Sequence, residues 1–471
     1  MLQGTDSTKG LKRTLGAGNL IALGVGAIIG AGLFVRTAWA ASEAAGPAVT
    51  LSFVVAAIGC GFAGLCYAEF ASMIPIAGSA YTYAYATLGE FLAWIIGWAL
   101  ILEYALASAT VSIAWSEYLN NLLGGTIPYQ LCHSPLETSI DGIQGMINLP
   151  AIGILVLLTL LLIKGTQESA FVNSIIVVLK VTIVLVFIVV GWKFINPANH
   201  IPYMIPEGTP GHEAFRQHGF GGVLGGAAIV FFAFIGFDAV STAAQEAKNP
   251  KRDMPIGILG SLFFCTFLYI LFSYVLTGVA PWTDFAVAGK EASVAYAIQH
   301  YMPGYEWLAN LISVAILAGF SSVILVMLMG QSRVFYSMSI DGLMPKVFSE
   351  LHPKFRTPYK SNMLLFIFVG LFAAFVPGSV AGDLTSFGTL FAFVLVCAGV
   401  WVMRRKNPEA KRPFATPLVP LVPILGMLVC TTLILSLDPN TLLVAFGWMV
   451  FGLVIYFAYG KSHSHLGNPK P

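Results

Sequence analysis

Apolar positions in this chain run unbroken for long stretches, separated by short polar segments, instead of alternating with polar ones. A membrane-crossing helix needs about 20 mostly apolar residues. Twelve stretches are read as spans, the ninth of them short, at Leu15–Ala41, Pro47–Ser72, Glu90–Leu122, Leu149–Lys164, Phe171–Phe194, Gly221–Ala247, Pro255–Ala280, Trp307–Ser337, Asn362–Phe375, Leu384–Met403, Leu418–Leu437 and Thr441–Tyr459. In lipid every backbone polar group needs an internal partner, so only helices and closed barrels span. Barrel strands would leave alternating segments of about 10 residues, which this pattern lacks. The expected fold class is an all-α membrane protein with twelve transmembrane helices.

Composition agrees. Of 471 residues 57% are hydrophobic and 10% charged, against about 25% charged in a soluble domain. Too few charges remain to cover a soluble globule of this size. A nucleic-acid partner is excluded because no basic face exists outside short loops. The net charge of +2 hides an asymmetry. With the N-terminus placed inside, the outer side takes only Arg36, Lys193, Arg216 and Lys290, and Lys180 is left within the fifth span; all other lysines and arginines fall inside. Basic loops mark the cytoplasmic face, so both termini are expected in the cytoplasm of a multi-pass plasma-membrane protein. The six cysteines are scattered without a CxxC, which indicates neither a metal site nor a disulfide framework. No cofactor is implied. Residues 1–14 are polar and lack the apolar core of a cleavable signal.

Glycines divide the chain further. The first span contains Gly24-Val-Gly-Ala-Ile-Ile-Gly-Ala-Gly32. The sixth opens with Gly221-Gly-Val-Leu-Gly-Gly226 and continues Phe231-Phe-Ala-Phe-Ile-Gly-Phe-Asp238. Glycine costs about 1 kcal/mol relative to alanine inside a helix. Clusters five spans apart point to an internal repeat with interrupted helices, and the long third and eighth spans fit the same 5+5 pairing. An odd number of spans per copy inverts the second copy. The expected organisation is a tail at 1–14, a first repeat at 15–194, an outer loop at 195–220, an inverted repeat at 221–403, and two added helices with a cytoplasmic tail at 404–471. Close helix packing is the competing reading of these glycines, since Gly26-Ala-Ile-Ile-Gly30 is a GxxxG pattern. A nucleotide loop is excluded by the spacing and by the lack of a preceding strand.

An interrupted helix exposes N–H donors on one side and carbonyl acceptors on the other. Donors suit a carboxylate, and carbonyls suit an ammonium. One break therefore recognises a zwitterion, and the expected substrate is an amino acid. Ile29, Gly30, Ala31 and Gly32 would meet the carboxylate. Ala27, Ile28 and the carbonyls of Phe231, Ala233 and Phe234 would meet the amino group. Phe231 or Phe232 is a candidate outer gate, with ordinary core packing as the alternative.

The same segments carry a family resemblance. Gly26-Ala-Ile-Ile-Gly-Ala-Gly-Leu-Phe34, Tyr67-Ala-Glu-Phe with Gly78-Ser-Ala-Tyr-Thr-Tyr83, and Phe231 to Pro250 resemble the amino acid–polyamine–organocation (APC) transporters. The branch is that of the cationic amino acid transporters in its bacterial twelve-helix form. Gln331-Ser-Arg333, Asp341-Gly-Leu-Met-Pro345 and Phe387 to Phe393 extend the match from about Leu11 to Tyr459. The resemblance implies a leucine-transporter-like fold, alternating access and amino acid transport. The branch name does not establish a cationic substrate, because the two extra helices of longer members are missing.

Ionisable groups at bilayer depth are costly and are functional candidates by default. Lys180 lies nine residues into its span, about 14 Å deep at the helical rise. It is either a structural cation or a proton carrier. In proton-coupled relatives a lysine here resembles a substitute for the metal ion that bridges the first and eighth helices. That resemblance implies Gly26 and either Ser321 or Ser322 as its partners. Glu103 resembles an acid that family members carry near the substrate, which implies either a second protonation site or a group that orients the first helix; a buried hydrogen-bonded acid is the alternative. Asp238 reads as a cap for the inner part of the sixth span, Glu69 and Glu246 as gate or loop contacts, and Arg36 is left open between pairing with an outer carboxylate and tuning substrate approach. Proton-coupled uptake is the first functional expectation and obligate exchange the alternative. An enzyme is disfavoured, since neither HExxH nor GxSxG occurs. Amino acid, protons and the lipid bilayer are the expected partners; the sequence gives no signal for or against a small accessory membrane subunit.

Overall fold

The computed structural model describes residues 15–74, 79–139, 141–164, 170–244, 247–287, 293–355 and 357–465. The polar segment 1–14, Glu246 and the last six residues lie outside them. The helices in order are α1 (Ala17–Ile28), α2 (Ala31–Phe34), α3 (Arg36–Ala40), α4 (Val49–Met73), α5 (Ser79–Thr87), α6 (Glu90–Leu122), α7 (Leu149–Lys164), α8 (Ala170–Gly191) and α9 (Gly219–Val230). They continue with α10 (Pro250–Val279), α11 (Asp284–Val287), α12 (Ser293–Tyr301), α13 (Glu306–Ile340), α14 (Tyr359–Phe375), α15 (Gly378–Lys406), α16 (Leu421–Leu435), α17 (Pro439–Ile455) and α18 (Lys461–His463). Among the described residues seven helices are long and apolar enough to cross a membrane, and five shorter apolar helices accompany them. Two of the shorter ones, Ala17–Ile28 and Gly219–Phe234, are the glycine-rich segments.

Each of the twelve predicted stretches contains helix, and two match the predicted limits, Glu90–Leu122 and Leu149–Lys164. The tenth differs. Its apolar run starts at Leu384, but α15 begins at Gly378, because Ser379, Gly382 and Asp383 lower hydropathy without interrupting a helix. Large apolar side chains such as Phe263, Val178, Val189, Leu435 and Leu443 are exposed. That is the surface expected of helices whose solvent is hydrocarbon. Several buried hydroxyls donate within their own helix, as when Thr385 donates to Ala381 O at 2.8 Å and Ser108 to Tyr104 O at 2.8 Å. The long α6 forms the spine, packed against α13 and α15; α4 lies on α10, α7 on α14, and α1 on α10 and α8.

Candidate functional site

The first glycine-rich segment is interrupted where its sequence suggests. α1 ends at Ile28, whose successor Ile29 is extended (φ −73°, ψ 106°) and still donates to Val25 O at 3.0 Å. Gly30 is also extended, and α2 restarts at Ala31. Leu33 and Phe34 donate to Gly30 O at 3.1 and 3.3 Å. The N–H groups of Gly30, Ala31 and Gly32 take no carbonyl partner among the described residues, as expected at a helix start. In the second segment, α9 passes into a 3-10 turn over Phe231–Phe234. Gly236 follows with φ 111°, and a second 3-10 segment runs over Asp238–Ala243.

The two interrupted segments lie antiparallel and in contact. Lys248 N donates to Leu15 O at 2.8 Å at one end. In the middle a Cβ added to Gly236 would lie 2.9 Å from the Ala27 carbonyl, and one added to Gly32 would lie 2.2 Å from Ala233 Cα. Real Cβ atoms do not approach backbone so closely, so glycine is required at both places for the breaks to meet. Gly236 also needs its positive φ.

Tyr269 of α10 joins them. It is fully buried, and its hydroxyl lies 3.0 Å from both Ile28 O and Ala233 O. A hydroxyl has one proton, so it links one carbonyl from each broken segment through a shared donor. Both carbonyls are among those expected to face an ammonium, and each keeps a second lone pair. Sequence reasoning missed Tyr269. The available signal was a tyrosine inside an apolar span, where its hydroxyl must find an acceptor.

Lys180 is 1% exposed, and its Nζ donates to Gly26 O at 2.7 Å. Its stem packs over Gly319 of α13, where an added Cβ would lie 2.9 Å from Lys180 Cε. The lysine therefore spans from α8 across α13 to the last turns of α1. Ser321 donates to Leu317 O at 2.9 Å, and Ser322 is buried nearby in the chain. Glu103 is fully buried, and neither carboxyl oxygen has a hydrogen-bond partner among the described residues. Asp238 and Thr389 lie beside it. Asp238 is itself buried, and its Oδ2 accepts from Tyr104 OH at 2.7 Å. Phe231 packs edge-on against Phe393, and Phe234 against Phe53 and Tyr269. Phe232 is buried.

The profile described as "Amino acid permease" matches residues 15–459. The chain belongs to the amino acid permease family. It is 46% identical to the branched-chain amino acid permease BcaP of Bacillus subtilis (strain 168), over 99% of this chain and 97% of that protein. It is 41% identical to the methylthioribose transporter of the same organism, over 99% and 97%. It is 33% identical to cationic amino acid transporter 4 of Homo sapiens, over 88% of this chain and 64% of that protein. The relatives are transporters, so the chain is a multi-pass membrane permease of the APC superfamily and not an enzyme.

Two charged contacts bracket the central region of this permease. Arg36, for which a carboxylate partner is one of two expectations, is 2% exposed, pairs with Asp383 of α15, and donates to Ser379 O at 3.3 Å. Asp383 escaped notice because the apolar run begins one residue later. At the opposite end Glu69 is fully buried and accepts from Arg404 at 3.0 and 2.8 Å, Arg412 at 3.2 Å and Thr416 N at 2.8 Å. It fastens α4 to the end of α15 and to the loop that follows.

Proposed function

We propose that this permease is a proton-coupled symporter of L-amino acids working by alternating access. The observation that carries the reading is the antiparallel meeting of two interrupted segments, with backbone donors at Gly30 to Gly32 and carbonyls at Ile28 and Ala233. Together these form a site for a carboxylate and an ammonium. Ala27, Ile29, Ala31, Phe231, Phe232 and Phe234 complete its wall in this reading. Relatives named as branched-chain amino acid permeases at 46% and 35% identity support an amino acid as cargo.

The twelve-helix, 5+5 inverted arrangement (15–194 and 221–403, with two helices added) is supported by packing. Second with seventh (α4 on α10), third with eighth (α6 on α13) and fourth with ninth (α7 on α14) lie against each other, as do the two broken segments. A pseudo-twofold axis relating inverted copies brings such pairs together. In the proposed orientation both termini face the cytoplasm, the Arg36–Asp383 pair lies outside and Glu69 lies inside.

Lys180 is assigned the coupling proton, with Gly26 O as its partner and Ser321 and Ser322 on the facing helix; Glu103 is the second protonation candidate. A buried lysine on Gly26 ties proton occupancy to the shape of α1. Binding linkage is reciprocal, so protonation and substrate binding then assist each other. The test is uptake by purified protein in liposomes, with a panel of labelled amino acids, an inside-alkaline pH gradient and no sodium. Accumulation should follow the gradient. Uptake that requires preloaded amino acid would establish exchange instead.

A further inference from the structure

A cavity of about 700 Å³ opens beside the break, with Ala31 and Val35 on one wall. Its far walls come from the end of α6 and the 129–141 loop, and they carry Glu117, Glu137 and Asp141. The cavity's guanidinium, Arg36, is already held by Asp383 and Ser379 O. Glu137 accepts from Ser134 N at 2.9 Å, and Asp141 is exposed. Glu117 differs from both. It is only 7% exposed, and its Oε1 accepts no hydrogen bond among the described residues. A buried carboxylate oxygen without a donor is costly, so this one is set to receive a donor from the cavity.

The neighbouring imidazole does not supply it. His133 Nε2 lies 3.8 Å from Glu117 Oε1, beyond hydrogen-bond reach. Its Nδ1 lies 3.1 Å from Tyr129 O, and a carbonyl can only accept. Burial pulls the imidazole below its ordinary range, against Glu137 and the Tyr129 carbonyl, which pull upward. In the neutral ring the proton is therefore on Nδ1, and Nε2 has none to give Glu117.

We propose that Glu117 forms an outer docking site for the ammonium group of an incoming amino acid, above the central site. The proposal rests on the transport reading. A negative cleft concentrates cations at its mouth and speeds their capture, while the transport step itself uses other residues. Cationic side chains gain most, and acidic amino acids are repelled.

The test compares wild type, Glu117→Gln and Glu117→Asp in intact cells and in inverted membrane vesicles. Labelled L-leucine is the neutral probe, with L-lysine as a cationic competitor. For Glu117→Gln, KM for leucine from the outer face should rise roughly tenfold, the effect of losing one charged hydrogen bond to the ammonium. Competition by lysine should weaken further, while Vmax and the KM in inverted vesicles stay unchanged. Glu117→Asp should restore most of the loss. An unchanged outer KM, a fall in Vmax alone, or equal loss from both faces would overturn the docking site. Absence of wild-type uptake for every amino acid tried would refute the transport reading instead.

Discussion

Lys180→Ala should abolish accumulation of amino acid driven by a pH gradient. For one proton per substrate a difference of one pH unit can drive about tenfold accumulation, and the variant should reach no more than equilibrium. Lys180 Nζ donates to Gly26 O at 2.7 Å, so in the proposed mechanism its removal frees α1 from the proton while leaving the Tyr269 link between the broken segments in place. Binding and counterflow should therefore persist in part. Lys180→Arg should fail in the same assay for a different reason: it keeps the charge, but arginine cannot be deprotonated in proteins, and the larger head must fit a channel already tight at Gly319. The measurement is the steady-state ratio of inside to outside label with and without the gradient. Full gradient-driven accumulation by either variant would move the coupling proton to Glu103.

Gly32→Ala should cost more than about 3 kcal/mol and eliminate transport, an overpacking penalty at the upper end for a single added methyl. Its Cβ would lie 2.2 Å from Ala233 Cα and 2.7 Å from Ala233 N, so the two broken segments must separate. Gly30→Ala is the control. Its Cβ would meet Val323 Cγ2 at 3.3 Å, a side chain that can shift, and its φ of −159° suits any residue. Thermal melting in detergent should place Gly30→Ala within about 1 kcal/mol of wild type and Gly32→Ala well below it. Wild-type melting and uptake for Gly32→Ala would mean that the breaks do not depend on this contact.

The helical architecture was legible because a lipid solvent forces long apolar runs, and α6 and α7 are bounded by abrupt polar changes at Glu90 and Lys164. Both interruptions were legible from clustered glycine, and Lys180 and Glu103 from charge inside an apolar stretch. What stayed hidden needed distance information. α5 reads as a loop, since Ser79 to Thr87 mixes hydroxyls with aromatics. Asp383 sits on a helical turn of small residues that hydropathy cannot separate from a loop, so the identity of the carboxylate that pairs with Arg36 stayed hidden. Tyr269 looks like any aromatic in a span until its hydroxyl is found between Ile28 O and Ala233 O. Glu69 and its arginines come from distant parts of the chain, and no local pattern links them. Gly236 was visible only as one more glycine, whereas its positive φ and contact with Ala27 belong to the folded chain.

Recognition of the cargo through its α-amino and α-carboxylate groups is the centre of this account. Competition between L-leucine and isoamylamine, the same side chain without the carboxylate, tests it most directly. Both would be titrated against uptake of one labelled amino acid by the wild-type protein in liposomes. The donors at Gly30 to Gly32 would lose a charged partner, which is worth about 1.5–3 kcal/mol per hydrogen bond. Isoamylamine should therefore inhibit at least roughly tenfold more weakly than leucine. Equal inhibition by the two would contradict the assignment of the carboxylate to the break in the first glycine-rich segment.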